Sequence, residues 1–348
     1  MKIAVGIIGV TGYTGQELLR LLFRHPGAAV RHLASLRAKE PKRLGELLPE
    51  FSRKGDLRVV PFRAEETAEA CDALFLALPH GEAMKIVPNL LRLKKTLKIV
   101  DLSGDFRLHS AGLFARAYGM THASPSLLKS AAYGLSEWNR DAVEGARLVA
   151  NPGCYPTATL LALAPLAKAG LLAEGIIVDA KSGVSGAGRA LKEELLFSEM
   201  NEDFRAYKVN AHQHTPEMEQ ELAGLSKRAA GITFVPHLVP MNRGLYSTVY
   251  APLKKKISEA QVRALYERAY GRERFVRLLP AGAWPRVQTV AHTNDCEIGL
   301  KLEPSGKRVI LLSAIDNLGK GAAGQAVQNM NLACGLPEED PWRSSGEA

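Results

Sequence analysis

One cysteine stands in a turn where its thiol is predicted to be reactive. Cys154 lies in Asn151–Thr157 (NPGCYPT), after the apolar stretch Leu148–Ala150 and before the apolar stretch Ala158–Leu166. This pattern predicts a strand, a turn and a helix beginning near Cys154, with Pro156 tolerated in the first helical turn. The positive end of the helix dipole favours the thiolate, whereas an ordinary thiol has a pKa of about 8.5 and is mostly protonated at neutral pH. Cys154 is therefore predicted to be a nucleophile, and a buried structural cysteine is the alternative.

Two histidines supply the base that a thiol nucleophile needs. His212 and His214 stand just before a predicted helix at Glu217–Ala223. If the segment is extended, both imidazoles point to the same side, and either can reach Cys154 across a domain interface. Solvated loop histidines are the alternative.

A glycine-rich turn after the first predicted strand indicates a dinucleotide site. Its backbone N–H groups and the following helix N-terminus suit a pyrophosphate. The spacing is G-x-x-G-x-x-G rather than the usual G-x-G-x-x-G, and a tight turn without a ligand is the alternative. The candidate cofactor-binding residues of this turn are Gly9, Thr11, Gly12, Tyr13, Thr14 and Gly15.

The end of the second predicted strand favours NADP over NAD. NAD enzymes usually place an acidic residue there to bind the ribose 2′-hydroxyl. This chain has Ser35 and Arg37 instead, and its first acid, Glu40, comes later. Ser35 and Arg37 suit a 2′-phosphate, and a solvated surface arginine is the alternative.

Two further segments carry candidate ligand-binding groups. Ser182–Arg189 (SGVSGAGR) follows a predicted strand and is either an anion-binding nest or a flexible loop. Asp101–Arg107 (DLSGDFR) ends the fourth predicted strand, where ligands gather in doubly wound sheets. Arg107 is a candidate for binding a phosphate, and a surface pair between Asp105 and Arg107 is the alternative.

The elements that position these residues alternate between strand and helix in the first half of the chain. Helix Gly15–Phe23 lies among four predicted strands, which indicates a doubly wound parallel sheet of the α/β class. The predicted strands are Lys2–Ile8, Val30–Ser35, Ala73–Leu78 and Lys98–Leu102.

After Asn151 the pattern changes to an α+β domain with a mostly antiparallel sheet. A hairpin is predicted at Pro304-Ser305-Gly306, a helix after the capping box that begins at Ser258, and a last helix over 322–334. The residues from Pro337 to Ala348 are expected to form a loose tail.

Length and composition agree with this picture. The chain has 348 residues and a net charge of +9, with scattered basic residues, so we predict two domains and no nucleic-acid partner. No apolar run approaches the roughly 18–20 residues of a membrane helix, so no membrane partner is expected. The cysteines Cys71, Cys154, Cys296 and Cys334 include no C-x-x-C pair. They favour a reducing cytoplasm, with all but Cys154 structural. No metal site is expected, because the one close histidine pair, His212 and His214, has no cysteine or acidic partner at zinc-site spacing.

The motifs together resemble the N-acetyl-gamma-glutamyl-phosphate reductase family. The resemblance runs through nearly the whole chain in GVTGYTG, LPHG, DLSGDFR, NPGCYPT, KSGVSGAGR, HQHTPEMEQ, PHLVPMNRG and NLGKGAAGQAVQNMN. It implies an NADP-dependent acyl-phosphate reductase of arginine biosynthesis. It also implies an NADP-binding Rossmann domain at 1–150, joined by the C-terminal helix at about 324–348. The resemblance further implies a catalytic α+β domain at 151–323 and assembly into a homo-oligomer, either a dimer or a tetramer.

The resemblance also implies individual roles. Cys154 forms a thioester, and His214 rather than His212 is the base. The implied substrate-binding residues are Arg107, Arg189, His212 and Asn151. The further cofactor-binding residues are Pro79, Ser182, Gly183 and Asn317. The chain departs from the family at Gly104, often alanine, and at Gln213, often arginine.

The sequence leaves two rival functions open. A lysine-pathway reductase of an aminoadipyl phosphate, free or linked to a carrier protein, has nearly the same motifs. A non-catalytic NADP-binding sensor on the same scaffold is the other rival, and the presence of Cys154 with both histidines argues against it.

Overall fold

The computed structural model describes residues 2–227 and 231–342. The chain divides into two compact units, the first formed by Met1–Pro152 with Ala322–Ala348 and the second by Gly153–Gly321.

The first unit is built on a twisted, mainly parallel sheet. In the described part of the chain its strands follow the order β3-β4-β2-β1-β5-β6-β8-β7, and only the β3–β4 pair is antiparallel. From β1 the chain passes to β2 on one side of β1 and later returns to β5 on its other side. The carboxyl ends of β1 and β5 therefore form a topological switch point. The predicted doubly wound sheet is confirmed. The strands are β1 (Ile3–Ile8), β2 (Ala28–Ser35), β3 (Lys42–Arg43), β4 (Arg58–Pro61), β5 (Ala73–Leu76), β6 (Lys98–Asp101), β7 (Ala132–Tyr133) and β8 (Leu148–Ala150).

Helices cover both faces of this sheet, because its strands are apolar on both sides. One core layer packs Leu18 and Leu19 against Val327 and Met330, and the other buries Leu90. The helices are α1 (Tyr13–Leu22), α2 (Leu44–Leu47), α3 (Ala64–Ala70), α4 (Ala83–Leu93), α5 (Ala111–Tyr118), α6 (Ser136–Val143) and, from the end of the chain, α12 (Gly324–Cys334).

Helix α12 is buried although it carries several amides, because each amide has a partner within the first unit. Asn329 donates to the Gly134 carbonyl at 2.8 Å, and Asn331 donates to the Asp340 carbonyl at 2.7 Å. Arg140 pairs with Glu338 at 3.0 Å. The prediction of a loose tail is therefore wrong for residues 337–342, while 343–348 lie outside the described residues.

The second unit carries a mostly antiparallel sheet of order β10-β11-β9-β12-β15-β14-β13 among the described residues. Only the pairs β9–β11 and β13–β14 are parallel there. The strands are β9 (Ile176–Gly183), β10 (Arg205–Ala206), β11 (Ile232–Val239), β12 (Leu245–Pro252), β13 (Val276–Leu278), β14 (Cys296–Leu302) and β15 (Arg308–Ile315). The hairpin predicted around Ser305 joins β14 to β15.

Helix α7 (Cys154–Lys168) lies in the centre of the second unit and is buried on nearly all sides. Pro165 lacks the N–H that would bond to the carbonyl of Leu161 one turn earlier. The hydroxyl of Tyr270 donates to that carbonyl at 2.6 Å and so replaces the missing bond.

The remaining helices of the second unit surround this core. They are α8 (Phe197–Met200), α9 (Thr215–Ser226), α10 (Glu259–Tyr270) and α11 (Val287–Val290). The predicted capping box at Ser258 and Gln261 begins α10. Across residues 2–227 and 231–342, no helix is long and apolar enough to cross a bilayer.

Candidate functional site

The glycine turn joins β1 to α1, and its two outer glycines are required by close packing. Gly9 has φ +94°, and a Cβ on it would collide with the carbonyl oxygen of Ala77. A Cβ on Gly15 would lie 2.5 Å from the oxygen of Gly9. The middle glycine differs, since Gly12 has ordinary φ and the nearest atom to a Cβ there is 3.6 Å away.

The backbone around Gly12 therefore remains open at the start of α1. No acidic residue occupies the first turn of this helix. Thr11 and Tyr13 are exposed beside Gly12, and Thr14 is half-buried. A helix N-terminus with open glycine backbone fits the pyrophosphate of a dinucleotide.

The end of β2 lies next to this turn, because the N–H of Gly9 donates to the carbonyl of Ala34 at 3.1 Å. The hydroxyl of Ser35 accepts the N–H of Arg37 at 3.2 Å, and the side chain of Arg37 is exposed. The structure thus brings Ser35 and Arg37 to the same edge of the sheet as the glycine turn.

A buried carboxylate holds the loop that follows β5. Asp105 accepts the N–H of Gly81 at 2.7 Å and that of Met84 at 2.9 Å, which fixes the loop containing Pro79 at the start of α4. Burial and, to a smaller extent, the charge of Asp105 raise the pKa of the neighbouring Asp101 to about 7. This loop shares the carboxyl edge of the sheet with the glycine turn.

Arg107 and Asn151 lie together inside the first unit. Arg107 is 4% exposed and donates from Nε to the carbonyl of Asn151 at 2.7 Å and from Nη2 to that of Leu102 at 2.8 Å. The Asn151 side chain donates to Ala322 and accepts from Asn329. The alternative of a surface pair between Asp105 and Arg107 is wrong, because both side chains are buried.

Gly104 is explained by its neighbour. A Cβ at this position would collide with the hydroxyl of Tyr118. The N–H of Gly104 donates to Nδ1 of His80 at 2.8 Å, and the ring of Tyr118 packs edge-on against His80. An alanine here would have to displace Tyr118.

In the second unit, Cys154 is the first residue of α7. Gly153 is the N-cap, and the first turn contains no acidic residue. The N–H of Gly153 donates to Oε1 of Glu217 at 2.9 Å, so α9 is tied directly to the start of α7. Cys154 is half-buried, while burial raises the pKa of Cys71 to about 12 and that of Cys334 to about 11. The helix N-terminus predicted for Cys154 is therefore present.

The two histidines lie in the turn that precedes α9. They are 5% and 8% exposed, and their ring centroids are 4.6 Å apart. The segment forms a turn and is not extended, because the backbone N–H of His214 donates to Nδ1 of His212 at 3.1 Å. Both belong to the same unit as Cys154, so no domain boundary separates them.

A tyrosine next to the cysteine links it to the histidines. The ring of Tyr155 packs edge-on against His212 at 5.5 Å and His214 at 6.1 Å. Tyr207 donates its hydroxyl to that of Tyr155 at 3.1 Å. Burial raises the pKa of both tyrosine hydroxyls, so they remain neutral hydrogen-bonding groups.

Sequence reasoning missed Tyr155, Tyr207 and Glu217 as parts of this cluster. Glu217 had a local indication, since it lies in the first turn after the histidines. Tyr207 had none, because only the folding of the chain brings it to Tyr155.

A third group of candidates meets at the carboxyl end of β9. Ser182 and Gly183 end this strand. Asn317 donates to the hydroxyl of Ser185 at 2.9 Å and accepts the N–H of Gly244 at 2.7 Å. Arg189 instead lies exposed in the segment that follows the turn after β9.

Comparisons with known proteins match this architecture. The family model described as "Semialdehyde dehydrogenase, NAD binding domain" matches residues 4–146, and "Semialdehyde dehydrogenase, dimerisation domain" matches residues 154–317. A protein of Alkalilimnicola ehrlichii named N-acetyl-gamma-glutamyl-phosphate reductase is 50% identical over 97% of this chain and 96% of its own length. One of the same name from Symbiobacterium thermophilum is 47% identical over 99% of both.

Solved structures share the fold at low sequence identity. Aspartate semialdehyde dehydrogenase II of Vibrio cholerae, complexed with ASA, has a TM-score of 0.72 and 18% identity, over 95% of this chain and 98% of that one. Aspartate semialdehyde dehydrogenase of Candida albicans, solved with NADP, has a TM-score of 0.67 and 14% identity, over the same share of each chain.

Proposed function

The chain belongs to the N-acetyl-gamma-glutamyl-phosphate reductase family, as the sequence motifs predicted, and on this premise we propose that it reduces N-acetyl-gamma-glutamyl phosphate with NADPH. The products are N-acetylglutamate semialdehyde and phosphate, a step of arginine biosynthesis. The observation that carries the proposal is Cys154 at the N-terminus of α7, where the next residue, Tyr155, packs against a buried histidine pair.

In the proposed first step the sulfur of Cys154 attacks the acyl carbon and phosphate leaves, so that an S–C bond replaces the O–C bond to phosphate. The helix N-terminus stabilises the thiolate that attacks. The backbone N–H groups at the helix start near Cys154 are proposed to hold the oxyanion.

His214 is proposed to take the thiol proton and later return it, a contribution of about 10²–10⁴-fold. The backbone N–H of His214 donates to Nδ1 of His212, which orients the ring of His212. His212 is proposed to bind substrate, with Arg107, Arg189 and Asn151. Arg107 also donates to the backbone carbonyls of Asn151 and Leu102, which hold its guanidinium in place.

The first unit fits a dinucleotide at the open backbone around Gly12. We propose that NADP is held by Gly9, Thr11–Gly15 and Pro79, with Ser35 and Arg37 at the 2′-phosphate, and that Ser182, Gly183 and Asn317 border the nicotinamide. When bound, NADPH supplies the hydride that reduces the thioester. Residues 1–150 with 324–348 form the proposed cofactor domain, and 151–323 the catalytic one.

We also propose a cytoplasmic homo-oligomer. The family model over residues 154–317 is described as a dimerisation domain. No disulfide joins the four cysteines, all of which lie in the described part of the chain, and this agrees with a reducing compartment.

The test is an assay in the reverse direction with NADP⁺, phosphate and either N-acetylglutamate semialdehyde or aminoadipate semialdehyde. We expect NADPH to form with the glutamyl compound. Continued turnover should depend on phosphate, because phosphate must attack the thioester to release the acyl group from Cys154. The names of the relatives do not favour the aminoadipyl alternative. Preference for the aminoadipyl compound would overturn the substrate assignment, and absence of turnover with both would leave a sensor.

A further inference from the structure

A buried ion pair lies in the same unit as the nucleophile, between two residues to which no role has been given. Asp316 follows β15 and is fully buried, and Arg243 lies in the turn between β11 and β12. Arg243 Nε donates to Oδ1 and Oδ2 of Asp316 at 3.2 and 3.0 Å, and Nη2 lies 2.9 Å from Oδ2.

The same carboxylate also organises backbone from two further places in the chain. It accepts the N–H groups of Leu318 at 2.9 Å, Gly319 at 3.1 Å and His292 at 2.6 Å. The carbonyl of Asp316 accepts the N–H of Gly321 at 2.9 Å. Asp316 therefore fixes the start of the π-helical turn Gly319–Ala323, a rare conformation that is common at functional sites.

This turn contacts Cys154 through Gly321. A Cβ on Gly321 would lie 2.8 Å from the Cβ of Cys154, closer than two such carbons can approach. The backbone of Gly321 therefore packs directly against Cys154. The position of Gly321 depends on Asp316, because the backbone N–H of Gly321 donates a hydrogen bond to the backbone carbonyl of Asp316.

The other end of the pair holds the segment around Asn317. Gly244, which follows Arg243, donates to Asn317, and Asn317 donates to Ser185. The hydroxyl of Ser185 in turn donates to the carbonyl of Asn242 at 2.6 Å. The ion pair between Arg243 and Asp316 therefore links the Gly321 backbone beside Cys154 to the end of β9.

We propose that Arg243 and Asp316 are positioning residues that set the approach to Cys154. They hold Gly321 against the cysteine and Asn317 beside Ser185, and neither need touch the substrate. The inference rests on the proposed nucleophilic role of Cys154. It predicts a large kinetic effect, because a displacement of about 1 Å near reacting atoms can cost about 10²-fold in rate.

The experiment compares Arg243→Ala and Arg243→Lys with Arg277→Ala and Arg277→Lys. Arg277 pairs with Glu297 at 2.7 Å between β13 and β14 of the same sheet, which makes it a matched control. The readouts are kcat, KM, the thermal midpoint, and the rate at which iodoacetamide alkylates Cys154 without substrate.

We expect Arg243→Ala to lower kcat by about 10²-fold with little change in KM, and to change the alkylation rate. Arg243→Lys should recover part of the loss, because lysine keeps the charge but not the planar fork. The Arg277 variants should match the unmodified protein in kcat and alkylation.

Normal kcat and alkylation in the Arg243 variants, with only a lower thermal midpoint, would overturn the proposal. If Arg243→Ala does not fold, the lysine variant decides by the same criteria. A protein that shows no turnover while Arg243→Lys still alters alkylation would overturn the proposed function and leave the positioning role intact.

Discussion

The glycine turn of the first unit and the cysteine cluster of the second place their functional groups in opposite ways. The glycine turn occupies seven consecutive residues, and within it Gly9 approaches both Gly12 and Gly15. The cysteine cluster brings Cys154 together with Tyr207, His214 and Gly321, which lie far apart in the chain. A local site can be recognised from spacing, whereas a dispersed site requires the fold.

The substitution with the largest expected effect disrupts only the dispersed site around Cys154. Cys154→Ser should lower turnover by about 10⁴-fold or more, because a serine hydroxyl is not ionised at neutral pH. Dinucleotide affinity should remain normal, since the glycine turn belongs to the other unit. Steady-state kinetics and a binding titration measure the two effects separately.

Cys334→Ser is the matched control and should keep full activity. Iodoacetamide should label Cys154 before Cys71 and Cys334, because burial raises the pKa of those thiols to about 12 and about 11. Near-normal turnover of Cys154→Ser would exclude the thioester.

The next effect separates the two histidines within the cluster. His214→Asn should slow acylation by about 10²–10⁴-fold and flatten the pH–rate profile, because the base is lost. His212→Asn should mainly raise KM. Single-turnover kinetics with the acyl phosphate distinguish the two, and the reverse pattern would exchange the assigned roles.

The glycine turn offers a test of why each glycine is present. Gly9→Ala should destabilise the fold by at least about 1–2 kcal/mol, because alanine is strained at φ +94° and its Cβ would meet the Ala77 carbonyl. Gly12→Ala has open space and should keep the thermal midpoint. It should nevertheless weaken dinucleotide binding by more than about tenfold, since the added methyl group occupies the place where the pyrophosphate approaches.

Thermal unfolding and a dinucleotide titration of Gly9→Ala and Gly12→Ala show which glycine is required for stability and which for binding. Full affinity in Gly12→Ala would mean that the turn is a structural feature without a ligand.

The comparison also explains what the sequence was able to predict. The parallel sheet, the hairpin at Ser305 and the N-terminus of α7 follow from local periodicity and turn residues, and all are present. The bond from Gly153 to Glu217 was not foreseeable, because it joins two helices 64 residues apart. The tail was misjudged for a related reason: residues 337–342 include three acidic residues and two prolines, yet α12 offers buried amides that bind them.

Arg107 shows the same limit in a single side chain. Its place after the fourth strand was predicted, but its burial and its bonds to Asn151 and Leu102 depend on neighbouring strands. Only contacts from elsewhere in the chain decide whether such an arginine lies on the surface or inside.

The smallest expected effect concerns cofactor choice at the end of β2, where the evidence is again local. Arg37 is exposed, so its charge-assisted bond to a 2′-phosphate should be worth about 1.5 kcal/mol rather than more. Arg37→Ala should therefore weaken NADPH binding by about tenfold, leave NADH binding unchanged, and lose its effect as salt is raised. The control is Arg31→Ala, which changes an exposed arginine within β2 and should alter neither affinity. Ser35→Asp should repel the phosphate and shift preference toward NADH. Equal kcat/KM for NADPH and NADH in the unmodified protein would refute this role of β2 while leaving the chemistry of Cys154 untouched.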